Sequence, residues 1–224
     1  MENEIDKSIR SGKYSRSFSK KDDYNKCNLF VCDVLKKGWD IEVPKMKDED
    51  YRGVTSSGGK KDDWPENPMS AVGLHGYYSE RSALPNSGVS EVDVKTGMEL
   101  SKAGAPVVVL GAGHATLIAA DDAPWPLIYR SDLADRGEDK RTRVGMKDPD
   151  KFRYFAINPP QYKEFNKKIK DYGFTDNAVV QKYEEVDGKT QRGSNYTKLR
   201  EKLISENTSP INNRNAAGEP IVWK

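Results

Sequence analysis

Asn25-Lys26-Cys27-Asn28-Leu29-Phe30-Val31-Cys32-Asp33-Val34-Leu35 is the stretch from which the organisation of this chain follows. Leu29, Phe30, Val34 and Leu35 recur at helical spacing, and Val31 widens the apolar face, so the stretch predicts a short amphipathic helix with Cys27 at its start. Asp22 and Asp23 lie just upstream, where acidic residues suit a helix start, and Lys36-Lys37-Gly38 predicts a basic last turn closed by a glycine cap. A thiol in the first turn meets the positive end of the helix dipole and unpaired backbone N–H groups. Both favour the thiolate, the nucleophilic form.

Working outward, a base for that thiol is available in Gly111-Ala112-Gly113-His114-Ala115-Thr116-Leu117-Ile118-Ala119-Ala120, which reads as a small-residue turn followed by a strand opening on His114. Pro106–Leu110 before it, Leu127–Ser131 after it and Phe152–Ile157 further on are also predicted strands, with a charged loop from Asp135 to Asp150. Val92, Val94, Met98 and Leu100 predict a helix over residues 90–104. Helices first and an antiparallel meander afterwards imply an α+β fold. Residues 1–20 read as a short helix or arm. Residues 44–90 form a connection rich in Gly, Ser, Pro and charge, and the stretch Ala71–Ser79 within it, holding His75, Tyr77 and Tyr78, is ambiguous. Connections of this length inside a domain are often functional, so it is a candidate wall of a cleft. Composition changes after Pro160, which divides the chain into a core over 1–160 and an extension over 161–224, with surface helices expected at Tyr162–Tyr172 and Tyr196–Ile204.

The chain has 224 residues and a net charge of +2, from 37 basic and 35 acidic side chains. That balance does not point to nucleic acid as a partner. The mean hydropathy is −0.85, and no apolar run approaches the roughly 20 residues a membrane span needs. The first residues, Met1-Glu2-Asn3-Glu4-Ile5-Asp6-Lys7, lack an apolar signal core, so synthesis in the cytoplasm is expected. Cys27 and Cys32 are the only cysteines. Five residues apart on one helix, their Cα atoms stand about 8–9 Å apart, beyond the reach of a disulfide. With His75 and His114 they match no common zinc-ligand spacing, and no metal is expected.

Cys27 is flanked by the polar Asn25, Lys26 and Asn28, which argues against simple burial, whereas Cys32 lies in the helix body and reads as structural. An inert buried thiol is the plain alternative for either. Gly111, Gly113 and the small residues Ala115, Ala119 and Ala120 predict that another element packs closely on the histidine strand. A cysteine helix laid there would bring the thiol to the imidazole, with His114 as general base toward the thiol and general acid toward the leaving group. Reflection about the turn near Ala123 and Pro124 sets Tyr129–Leu133 opposite His114–Ile118, which makes Asp132, or more weakly Ser131, the candidate that orients the ring. His75 is a rival orienter or a substrate contact, and Asn25 a candidate oxyanion donor from its position beside the thiol.

The run Asn25-Lys26-Cys27-Asn28-Leu29-Phe30-Val31 with Val34-Leu35, followed downstream by Gly113-His114 opening a strand, resembles the CHAP and NlpC-like cysteine peptidases. These are papain-like enzymes that cut amide bonds in bacterial peptidoglycan. The Lys-Cys-Asn-x-Phe-Val form looks most like the amidase effectors of type VI secretion. The resemblance covers about Asp22 to Ile157. It implies a papain-like core with the nucleophile helix packed on a small antiparallel sheet. It also implies Cys27 as nucleophile, His114 as base, and Asp132 or Ser131 in the third place. The expected function is an antibacterial effector that hydrolyses peptidoglycan peptides without a cofactor, is delivered to the periplasm of a target bacterium, and is countered by a cognate immunity protein. A phage-type endolysin, a papain-like toxin acting on protein, and a non-enzymatic binding module are the alternatives. The chain departs from the pattern in its long Cys27-to-His114 connection, in its third residue, and in the tail after Pro160.

Overall fold

Val107-Val108-Val109-Leu110 is apolar throughout, as a strand covered on both faces must be. In the computed structural model, which describes residues 27–44, 71–111, 113–129, 143–174, 183–186, 189–192 and 194–206, this run is the interior of the main sheet. Its strands are β1 (Val89–Val92), β2 (Val107–Gly111), β3 (His114–Leu117) and β6 (Arg153–Ile157), in the order β1-β6-β2-β3. All neighbours are antiparallel. Two hairpins stand apart, β4 (Leu127–Tyr129) with β5 (Arg143–Gly145), and β7 (Tyr183–Val186) with β8 (Lys189–Arg192). Five α-helices complete the described residues: α1 (Cys27–Trp39), α2 (Ala71–Ser82), α3 (Val94–Lys102), α4 (Pro159–Asp171) and α5 (Ser194–Ser205). The fold is α+β.

Register sorts the side chains onto two faces. Val108, Leu110, Ala115, Leu117, Phe155 and Ile157 face the larger apolar cluster, which α1, α2, α4 and α5 complete. Val107, Val109, Ile118, Tyr154 and Ala156 face a smaller cluster closed by Leu100 of α3 and by Met146. Phe30, Val31, Val34 and Leu35 are the buried stripe of α1, as their spacing predicts.

Four expectations change. The helix expected over 90–104 begins only at Val94, because Val89-Ser90-Glu91-Val92 pairs with β6 as a strand. Asp93 separates the two by capping the helix, its carboxylate accepting the Thr96 N–H at 2.8 Å. The sheet is not a meander: β6 enters between β1 and β2, while β4 joins the end of β3 through a single bridge, Ile118↔Ile128, and pairs as a strand with β5, from within the expected loop 135–150. Gly38 does not end α1; the helix runs to Trp39, and Asp40 takes the left-handed conformation at φ 53°. There Asp40 and Ile41 donate their N–H groups to Lys36 and Leu35.

The stretch that follows the change in composition carries part of the larger cluster. Asn158 caps α4 and Pro159 opens it, so the residues expected to close a strand also start a helix. Tyr162, Phe165 and Ile169 of α4 and Tyr196, Leu199 and Leu203 of α5 are buried in that cluster. Gly88 makes the close approach possible. A Cβ at that position would stand 2.3 Å from the backbone nitrogen of Tyr162, and its φ of 73° is one that side chains disfavour. The expected arm over residues 1–20 lies outside the described residues.

Candidate active site

Cys27 is the first residue of α1, and α1 packs on β3. The direction of the helix decides which end of the strand the thiol meets. At the far end of α1 the Trp39 indole donates to the Gly104 carbonyl at 2.9 Å. The same indole lines a cavity of about 90 Å³ with Pro106, Ile118 and Ala120, where β2 begins and the β3 strand runs out. From Trp39 back to Cys27 is about 18 Å of helix, and from Ala119 back to His114 about 17 Å of strand. Helix and strand therefore run in the same direction, and Cys27 returns to the end of the sheet where His114 opens β3.

Cys27 is 4% exposed and shares the larger cluster with Ala115, Leu117 and Ala119. His114 pairs with Gly111 and is half-buried. Strand phase groups His114 with Thr116 and Ile118, the residues that alternate with those facing α1. Only one neighbour of His114 lies within the strand; on the other side stands Gly113 at φ 76°. The pleat therefore constrains its ring less than it constrains Thr116, which is fixed by a bond from its hydroxyl to the Tyr129 carbonyl.

Gly111 admits a close approach, as the small-residue pattern predicts, but by Phe152 and not by α1. Phe152 covers Gly111, and a Cβ on Gly111 would fall 2.6 Å from its ring. Gly113 has open space around it. The helix approaches further along, over Ala115, Leu117 and Ala119. Cys32 is the contrasting thiol. Burial above all, then the charges of Asp33 and of a Cys27 thiolate, push its pKa up to about 12, so it stays protonated at neutral pH.

Asn25, Ser131 and Asp132 lie outside the described residues. The described end of their hairpin joins Ile118 to Ile128, one residue from the reflection that the turn predicts. His75 belongs to α2 and stands over β6, its ring edge-on to Phe155 and its Nε2 3.5 Å from Arg153 Nη1. Since β2 separates β6 from β3, His75 is about 10 Å across the sheet from the His114 strand. It faces Arg153 instead of orienting His114. Burial first, then the Arg153 charge, holds its pKa below the usual histidine value, against a weaker pull from Glu91.

Residues that the motif reading passed over complete this end of the sheet. Asn28, next to the thiol, is 5% exposed. Arg153 shares the helix-covered face with Leu110 and Ala115. It reaches Glu91 through Nε at 2.6 Å and also through Nη2, and Ser79 Oγ through Nη1 at 2.7 Å. The signal for this cluster was the i, i+4 spacing of His75 and Ser79, which becomes informative only once the stretch is known to be helical. Among the described residues no three His, Cys, Asp or Glu side chains gather as a metal would require. No described helix is long and apolar enough to cross a membrane. No protein-family model, curated protein or solved structure matches the chain.

Proposed function

We propose that the protein is a papain-like cysteine hydrolase of amide bonds in peptidoglycan peptides. The observation that carries this reading is the parallel run of α1 along β3, which returns a helix-start cysteine to the end of the sheet where a histidine opens a strand. The substrate class rests on the resemblance of the Cys27 stretch. Delivery as an antibacterial effector, and an immunity protein that plugs the cleft, belong to the same proposal.

In this mechanism His114 takes the Cys27 proton and the thiolate attacks the amide carbonyl. The helix N-terminus steadies the oxyanion. The tetrahedral intermediate collapses to a thioester as the imidazolium returns its proton to the leaving amine. Water, deprotonated by His114, then attacks the thioester and releases the acid and the thiol. Asp132 or Ser131 would orient the ring, and Asn25 would add an oxyanion donor.

The test is mass spectrometry of purified peptidoglycan incubated with wild type and with Cys27→Ala. New fragments that vanish in the variant establish the chemistry and name the bond. Walls of several bond chemistries left intact by wild type would sink the reading. The burial of Cys27 favours a second reading, an inert core thiol in a binding module. Alkylation separates the two: an activated Cys27 reacts well below about pH 8.5, and an inert one does not.

A further inference from the structure

Arg153 is placed and equipped for more than a surface ion pair. Glu91 occupies its Nε–Nη2 edge, and Ser79 takes one hydrogen of Nη1. His75 Nε2 is 3.5 Å from Nη1, too long to fill a donor well. Of five N–H donors, three have close partners among the described residues, and two, one on Nη1 and one on Nη2, have none at less than 3.5 Å among those residues. The side chain is 38% exposed. The register row Ala115–Leu110–Arg153 sets it on the face that α1 covers, at the sheet end where α1 begins. Two strand spacings, about 10 Å, part it from the Ala115 column, which is the length of three extended residues.

We propose that Arg153 reads a carboxylate of the substrate, so that the preferred peptide carries a free carboxyl group within about three residues of the scissile amide. The proposal rests on the hydrolase reading for the direction in which the peptide lies. Glu91 fixes the guanidinium through one edge, Ser79 holds Nη1, and the remaining hydrogens of Nη1 and Nη2 are charge-assisted donors of the kind a carboxylate accepts. The ring of His75 borders Nη1 and would be displaced from it by the ligand.

Binding is measured on full-length Cys27→Ala, which leaves the peptide uncut. The probes are soluble wall peptides released by glycan digestion, used as such and after carbodiimide amidation of their carboxyl groups. The free acids are expected to bind about 10–100-fold tighter than the amides. Adding Arg153→Gln should erase that ratio by weakening the acids alone, and Arg153→Lys should restore a part of it. Glu91→Gln should tighten the acids, since it removes a competing carboxylate. Equal binding of acids and amides, or no binding of either, overturns the proposal, as does an equal loss for both in Arg153→Gln. The comparison of acids with amides needs no Arg153 variant, so a folding defect there leaves the test intact. Hydrolysis by wild type is scored separately: an intact wall with a preserved acid preference defeats the hydrolase chemistry and leaves the Arg153 assignment standing.

Discussion

Two arginines, both reached from α2, do opposite things. Arg81 is 1% exposed, and all five of its donors are taken. Nε and Nη2 donate to the Ser87 carbonyl, Nη2 also to the Tyr162 carbonyl, and Nη1 to the Tyr77 hydroxyl and to Asn166 Oδ1. Its guanidinium carbon lies 3.6 Å from the centre of the Tyr162 ring. From Tyr77 the chain continues: its hydroxyl is 2.7 Å from that of Tyr162, which donates to the Glu42 carbonyl at 2.9 Å. No carboxylate among the described residues balances the charge; neutral oxygens and aromatic rings do. Arg153 is half-buried, ion-paired to Glu91, and keeps one donor on Nη1 and one on Nη2 without a close partner among the described residues. The closed cluster ties α2 to α4 and to the loop after α1. The open one leaves bonding capacity at the end of the sheet where Cys27 stands. A buried cation with no vacancy is architecture, and a partly exposed one with a vacancy is available for recognition.

The largest effect expected from breaking this contrast is on stability. Arg81→Met keeps bulk but strands two carbonyls, a hydroxyl and an amide oxygen in the interior. It should cost about 3–5 kcal/mol, read from urea denaturation at constant m. Arg153→Met opens an exposed ion pair and should cost less than about 1 kcal/mol. Similar costs for the two would mean that the open cluster is also structural. Gly88→Ala attacks the closed region from the backbone, and by displacing α4 it should destabilise by more than about 2 kcal/mol.

The second effect lies at alkaline pH. Cys32 is raised from 9.0 to about 12 and Tyr154 from 10.0 to about 12, while burial raises Tyr78 and Tyr162 well above 10.0. In each case the folded state holds its proton more tightly than the unfolded chain does. The unfolded state then binds fewer protons above its own pKa, and stability falls as pH rises. For Cys32 the window runs from pH 9 toward 12, so Cys32→Ala should flatten that part of the denaturation profile whatever it does to stability at neutral pH. A profile with the same slope in the variant would show that Cys32 ionises freely when folded.

How much of this was legible beforehand varies with the range of the interactions. The helix at Cys27 and the strands near 107 and 114 were readable, because local periodicity and burial agree there. β1 is not legible locally because Val94 and Met98 carry a helical spacing up to the boundary at Asp93 and Val92 stands just before it; the pairing partner that decides the matter, β6, is more than sixty residues away. The Arg81 network was invisible for the same reason, since Tyr162 and Asn166 meet it only through tertiary packing. At the candidate site the two ends, Cys27 and His114, came from motif and order. The Arg153 cluster required the register of β2 with β6.

A smaller effect tests the edge of the closed region. The Tyr78 hydroxyl is buried and has no hydrogen-bond partner among the described residues, while its ring stacks on Phe155 at 5.9 Å. Tyr78→Phe keeps the stacking and removes a desolvated polar group, so stability should rise by about 0.5–1 kcal/mol. Tyr162→Phe, which severs the link from Tyr77 to Glu42, should lose about 1–2 kcal/mol. Losses of equal size would mean that Tyr78 has a partner beyond the described residues.

The smallest effect probes the open cluster directly. Burial and then the Arg153 charge hold the His75 pKa below its ordinary 6.5. As pH drops below 6.5 the unfolded chain takes up a proton that folded His75 still refuses, so this residue's contribution to stability is present above 6.5 and is lost as pH falls through the folded pKa. Arg153→Gln removes the second cause and leaves the first. The His75 midpoint, followed by NMR of its ring protons, should therefore rise but stay below 6.5, and amidation of Glu91 by Glu91→Gln should lower it. A carboxylate bound at Arg153 would act as Arg153→Gln does, by cancelling the guanidinium charge. Added free-acid wall peptides should then raise the midpoint, while their amidated forms should not, which makes His75 a reporter on whether Arg153 holds a carboxylate.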